Sequence, residues 1–250
     1  MDVSLGTNRD PMRIRTKAIV LSTLKYGDHS LIAKAYTSEA GLQSFMLKGI
    51  FRSRKGKLKT AFFQPLTQLE IIASTSPSGK LGYIQEALLS YPYTTVHADI
   101  RKGTIALFLS EILGQSIREQ EPDPALFQFL EASLQWLDQH DKIANFHIGF
   151  LIALTRHLGF YPDTINLQAP FFDLTEGAFC HEPSLNPCMS GEELDQFRAF
   201  LGTDFDAIHT IRLTQKQRQR LLSQLVSYFE VHLHGFSKPR SLVVLDAVFS

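Results

Sequence analysis

The sequence predicts an α+β protein in two parts: a small closed five-stranded β-barrel, then an α-helical domain. Three observations predict it. Residues 12–91 break into short stretches with period-two apolar alternation, separated by Gly, Asp and Ser turns. After Pro92 the apolar residues recur at helical spacing. The charge changes sign with the pattern: residues 1–82 hold 13 Lys and Arg against 5 Asp and Glu, and residues 83–250 hold 12 against 20.

The strands are expected in this order. Ala18–Leu21 is a short apolar run after the alternating Arg13, Arg15 and Lys17, and Gly27-Asp28 turns the chain. Leu31–Thr37 is the second strand, ended by residues 39–41. Leu42–Ile50 is the third, with Phe45 and Leu47 on one face and Met46 and Lys48 on the other. Leu66–Ala73 is the fourth, Ser76–Gly79 a turn, and Leu81–Leu89 the fifth. Five short strands with a long loop suit an OB-fold-like barrel. Periodicity alone fits an SH3-like barrel equally well.

In the second part, residues 99–119 carry Ile100, Ile105, Leu107, Phe108, Ile112 and Leu113 at helix spacing. Asp123-Pro124 is an N-cap and N1 pair opening a helix over 125–139. Residues 143–158 form another, closed by Gly159 and Pro162. Ser190 with Glu193, and Thr214 with Gln217, read as capping boxes starting two more helices. The apolar tail, residues 242–249, is expected as a strand or a packed extension. The domains are therefore expected at 12–88 and 89–250, with residues 1–11 a disordered leader or Met12 the true start.

Bulk properties exclude several classes. An apolar fraction of 44% can fill a core. Two cysteines argue against a disulfide scaffold and for a reducing compartment. No apolar h-region follows the N-terminus, and the run 148–154 is far too short to cross a bilayer. A cytoplasmic, nucleoid-associated protein with no membrane partner is expected.

The strongest chemical signal is a cluster of cations. Between Glu39 and Glu70 there is no acid but six bases: Lys48, Arg52, Arg54, Lys55, Lys57 and Lys59. A run of this kind is often only a solvated loop. Its length without a compensating acid, its place on a barrel loop, and Phe51, Phe62 and Phe63 beside it point instead to a nucleic-acid strand. Cations would track phosphates and rings would stack on bases. One of Phe62 and Phe63 is expected in the core, since neighbours on a strand face opposite ways.

Other constellations fail. Gly49, Gly56 and Lys57 have the wrong spacing for a phosphate loop, and Leu58 follows the lysine. No G-x-S-x-G or H-E-x-x-H motif occurs. Cys180, His181 and Cys188 lack the second close pair that structural zinc wants, so Cys180 and Cys188 read as small buried apolar side chains and not as metal ligands. His232 and His234 diverge on a helix, and His147 and His157 read as surface or core-edge residues. No catalytic residue, metal or other cofactor is called for, and a non-enzyme is expected.

Ala18-Ile-Val-Leu21, Tyr26-Gly-Asp28, Thr37-x-Glu39-x-Gly41, Lys48-Gly49 and Gln64-Pro65-Leu66 with Leu69-Glu70 resemble, in order and spacing, the N-terminal domain of the bacterial RecO recombination-mediator family. Leu158-Gly159-Phe160-x-Pro162, Phe172-Asp173 and Glu176-Gly177 continue the resemblance. It implies an N-terminal OB-fold and a helical C-terminal domain. It also implies binding of single- and double-stranded DNA, strand annealing, partnership with RecR, and help in loading RecA onto strands coated by single-stranded-DNA-binding protein. Many members carry a four-cysteine zinc module. Here Asn166-Leu-Gln-Ala-Pro170 stands at the first pair and Pro183 in place of a partner for Cys180, so a degenerate module is expected over 162–189.

Two rivals follow from the residues: an RNA-binding barrel protein linked to translation or RNA metabolism, and a hydrolase using a cysteine of depressed pKa. The acidic helical part is expected to dock proteins, one of them through Arg118.

Overall fold

The computed structural model describes residues 12–51, 58–75, 81–118 and 121–249. The chain forms two compact units, one of residues 1–93 with 117–131, the other of 94–116 with 132–250.

The first unit is built on a closed five-stranded barrel. Its strands are β1 (Met12–Tyr26), β2 (Ser30–Thr37), β3 (Gly41–Leu47), β4 (Gln68–Thr75) and β5 (Gly82–Tyr91). They close in the order β1-β2-β3-β5-β4. All pairings are antiparallel except β3 with β5, which is parallel. This connectivity is that of an OB-fold and settles the choice against an SH3-like barrel.

Alternation fills the interior. Ala18, Val20, Ala33, Ala35, Phe45, Leu47, Leu69, Ile71, Ala73, Ile84 and Ala87 form one buried cluster. Closure depends on Gly82, which pairs with Phe45. A Cβ there would lie 2.2 Å from the Ser74 carbonyl oxygen, so no other residue fits.

β1 is much longer than the expected Ala18–Leu21, because it serves two neighbours. Its first half pairs with β4 and its second with β2. A bulge between Val20 and Ser22 turns it from one to the other. There Leu66, at φ 61°, donates its N–H to the Val20 oxygen, and Val20 donates to Thr67. The third strand stops at Leu47, not Ile50. Thr60–Phe63 is a 3-10 helix, not a strand; Phe63 is in the core and Phe62 half-buried against it. The turn expected at Ser76–Gly79 lies outside the described residues. Tyr36 packs on Phe127, with its hydroxyl against the Asp123 backbone.

The second unit holds α1 (Ile100–Ser116), the later part of α2 (Pro124–Gln139), α3 (Phe146–His157), α4 (Gly191–Phe200), α5 (Gln215–His232) and α6 (Leu242–Val248). Asp123 caps α2 by accepting from Ala125 and Leu126 N–H. Thr214 and Gln217 form the capping box of α5. The box expected at Ser190 is absent: Ser190 makes no side-chain cap bond, and Glu193 accepts from Gln224 instead. The tail is a helix, α6, packed on α1, not a strand.

The expected loop over 162–189 contains a three-stranded sheet of β6 (Phe171–Asp173), β7 (Ala178–Cys180) and β8 (Cys188–Ser190), in the order β7-β6-β8. These strands are three residues each, too short to show a period. His147 is buried among Phe108 and Phe249, not at a surface or edge, and burial, followed by Arg218, drives its pKa down to about 3.

Candidate nucleic-acid interface

Register decides which side chains share a face of the barrel. Leu24 pairs with Ile32, Ile32 with Met46, and Met46 with Tyr83. Their strand neighbours Ala33, Phe45, Leu47 and Ile84 point into the core, so these four stand in one row on the opposite side of the sheet, where Met46 is itself only 8% exposed. The row continues through Ser74 to Arg13. Leu24 is 66% exposed and Tyr83 44%, unusual for large apolar groups on a well-filled barrel.

Lys48 follows β3 at the end of this face. It is exposed, and its Nζ lies 4.9 Å from the centroid of the Tyr83 ring. A cation held over a ring keeps its remaining N–H donors outward. Phe51, 48% exposed, donates its N–H to the His29 oxygen, so the chain enters the basic stretch beside the β1–β2 turn. Arg52, Arg54, Lys55 and Lys57 lie outside the described residues. Lys59 is exposed after the stretch, with its Nζ 5.7 Å from the Phe62 ring centroid. Neither Lys48 nor Lys59 forms an ion pair among the described residues.

The β1–β4 side differs. Arg15 donates to Glu70 at 2.5 Å, and Lys17 to Glu131 at 2.7 Å. The Arg15 hydrogen bond and charge hold the Glu70 carboxyl below its ordinary range. Arg118 belongs to the barrel unit, not the helical one. Burial, followed by Arg118, lowers the pKa of Lys34 there.

Met46 was placed from the sequence on the same face as Lys48, whereas Tyr83, Ile32 and Leu24 were not singled out. Tyr83 alternates against Ile84, a legible signal of an outward ring. The parallel β3–β5 pairing that sets it beside Met46 is a long-range fact with no local trace.

The sheet of β6, β7 and β8 does not suit a metal. Among the described residues no group of three or more His, Cys, Asp or Glu could hold one. Asp173, the nearest carboxylate, already accepts from the N–H groups of Thr175 and Glu176 and from the side chains of Ser184 and Asn186. Cys180 and Cys188 are free and half-exposed, not fully buried as expected. Burial, then Cys188 and Asp173, pushes the Cys180 thiol up, the opposite of what a nucleophile requires.

A barrel of OB connectivity is a scaffold on which many oligonucleotide- and oligosaccharide-binding proteins are built. Comparison with known proteins gives the family. Residues 12–93 match the family Recombination protein O N terminal, and residues 97–241 match Recombination protein O C terminal. The chain is 48% identical over 238 residues to the DNA repair protein RecO of Christiangramia forsetii, covering 95% of this chain and all of that protein. It is 45% identical to its counterpart in Flavobacterium psychrophilum, with 96% and 100% covered, and 36% identical to that of Phocaeicola vulgatus, with 94% and 99% covered. The chain belongs to the RecO family, and its role lies in DNA repair and recombination. No described helix is long and apolar enough to cross a membrane.

Proposed function

We propose that the chain is a recombination mediator that acts without covalent chemistry, gripping DNA through Lys48, Arg52, Arg54, Lys55, Lys57 and Lys59. The observation that carries this is Lys48, exposed and seated over Tyr83 at the end of an apolar outer face, where the basic stretch begins.

Cations at this face displace counterions from single or double strands. Four to six phosphate contacts would give a log–log salt slope of about −3 to −4 on single strands. Screening of strand–strand repulsion lets complementary strands approach and anneal. Family membership supports the further steps: work with RecR, and loading of RecA onto DNA coated by single-stranded-DNA-binding protein, in the cytoplasm. The acidic helical unit serves protein partners in this reading.

The test is a salt-dependent binding curve on an oligonucleotide, with an annealing assay, for wild type and a variant with all six cations changed to Ala. The variant is expected to lose most of the slope and anneal slowly. Equal annealing by both proteins would remove the proposal. Tighter binding of an RNA oligomer than of DNA of the same sequence would turn the reading to RNA.

A further inference from the structure

Beside Lys48 the outer face deepens into an open concavity of about 410 Å3, lined by Tyr26, Gly27, Asp28, His29, Ser30, Met46, Lys48 and Gly49. Its size falls within the ~300–1,000 Å3 of ordinary small-ligand pockets. Two glycines line it. Gly27 and Gly49 have φ of +58° and +67°, as their turns require, and a Cβ at either would meet nothing within 4 Å.

We propose that this concavity takes one unpaired nucleobase, stacked on Tyr26, and so gives the barrel a preference for single strands. The proposal rests on the reading that the face binds DNA, and adds what part of DNA this pocket holds.

Three features separate a base site from more phosphate-binding surface. First, Tyr26 is 57% exposed and makes no ring contact among the described residues, whereas the face of Tyr83 is taken by Lys48. An exposed ring at a strand end, with open space beside it, is a stacking platform. Second, the wall carries Asp28, a carboxylate. A phosphate would be repelled by it, while the N–H donors on a base edge are suited to it. Third, the rest of the wall is mixed. Met46 offers an apolar floor, and His29 and Ser30 offer hydrogen-bonding groups. Lys48 sits at the rim, placed for the phosphate of the nucleotide whose base enters. In a duplex the bases are stacked and paired, so entry costs their unstacking, and the pocket discriminates against duplex for that reason.

The experiment compares oligo-dT with an abasic strand of equal length, at fixed salt, by fluorescence anisotropy. Wild type is expected to bind oligo-dT about tenfold more tightly than the abasic strand, the value of one stacked base. Tyr26→Ala should bring that ratio close to one, and Tyr26→Phe, which keeps the ring, should restore it. Lys48→Ala should weaken both strands alike and leave the ratio in place. A wild type that binds both strands equally well overturns the base pocket while the phosphate grip stands. So does an unchanged ratio in Tyr26→Ala. A wild type that binds neither strand overturns the DNA-binding face and the pocket with it.

Discussion

Two carboxylates of the barrel unit and two of the helical unit are put to opposite uses. In the barrel unit, Glu70 and Glu131 pair with the exposed cations Arg15 and Lys17 at one side. In the helical unit, Asp138 and Asp173 are buried and hold backbone in place. Asp138 accepts from the N–H groups of Thr94, Thr95 and Val96 and from both threonine hydroxyls. The buried Lys102 donates to the Asp138 backbone oxygen and to Thr95. The difference shows why a charge count is a poor map of a surface. An excess of cations marks the barrel as basic, but the positions of the few acids decide which side of it stays open to a partner.

The largest effect is expected where a buried acid is removed. Asp138→Ala leaves three backbone N–H donors and two threonine hydroxyls of residues 94–96 without their acceptor, a loss of about 3–5 kcal/mol. Thermal denaturation of the full chain checks it; a loss below about 1 kcal/mol would show that the site is open to water. Burial alone would raise the Asp138 carboxyl, but the hydrogen bonds from residues 94–96 outweigh it and bring it down to about 2, against an ordinary 3.8. Its folded-state pKa is depressed, so its contribution is complete above about pH 4 and disappears as the pH falls toward 2. Acid titration followed by circular dichroism should show that loss in wild type and not in Asp138→Ala.

Next in size is the open face. Neutralising Lys48 together with the five cations of the basic stretch should weaken single-strand binding about a hundredfold at low salt. Changing Arg15 and Lys17 to Ala should weaken it less than twofold, because both are already paired. Filter binding of the two variants sets the sides of the barrel against each other directly. Equal losses would mean that the ion pairs open on binding and that the contrast between the sides is only one of the unbound state.

A third, smaller effect tests the role of Asp173. Asp173→Asn keeps one acceptor oxygen but adds donors where Asn186 and the backbone N–H groups already donate. A loss of about 1–2 kcal/mol is expected. The reactivity of Cys180 toward a thiol reagent should rise as well, because the carboxylate that helps push its thiol up is gone. Unchanged stability and reactivity would mean that packing of Phe172 against Phe179 and Phe197 alone holds the three strands.

Much of this was legible in the chain. Apolar or alternating stretches bounded by turn residues located all five barrel strands: alternation marked Leu42–Ile50 and Leu66–Ala73, and Ala18–Leu21 stood out as an apolar run because it is buried on both faces. The Asp123-Pro124 start and the Thr214/Gln217 box were legible because caps are local chemistry. What failed was non-local. The length of β1 depends on its having two partners. The fate of Ser190 depends on Gln224, which draws Glu193 away from the helix start. The candidate site divides in the same way. Lys48 and Lys59 could be named from a run of charge, but Tyr83, Met46, Ile32 and Leu24 become one surface only through pairings between strands up to 37 residues apart.

The smallest expected effect is the sharpest on the contrast between sides. Glu70→Gln removes the anionic partner of Arg15 and leaves its guanidinium without a counter-charge. An exposed pair of this kind contributes about 0–1 kcal/mol, so the melting temperature should hardly move. If the β1–β4 side takes no part in binding, single-strand affinity should change less than twofold and the salt slope should stay as in wild type. If the strand path instead wraps past Arg13 toward Arg15, the released guanidinium adds one phosphate contact, and the slope steepens by about 0.7. The row from Leu24 through Tyr83 and Ser74 ends at Arg13, one pleat short of Arg15, so the unchanged slope is the expected result. A steeper one would extend the open face around the barrel to β1.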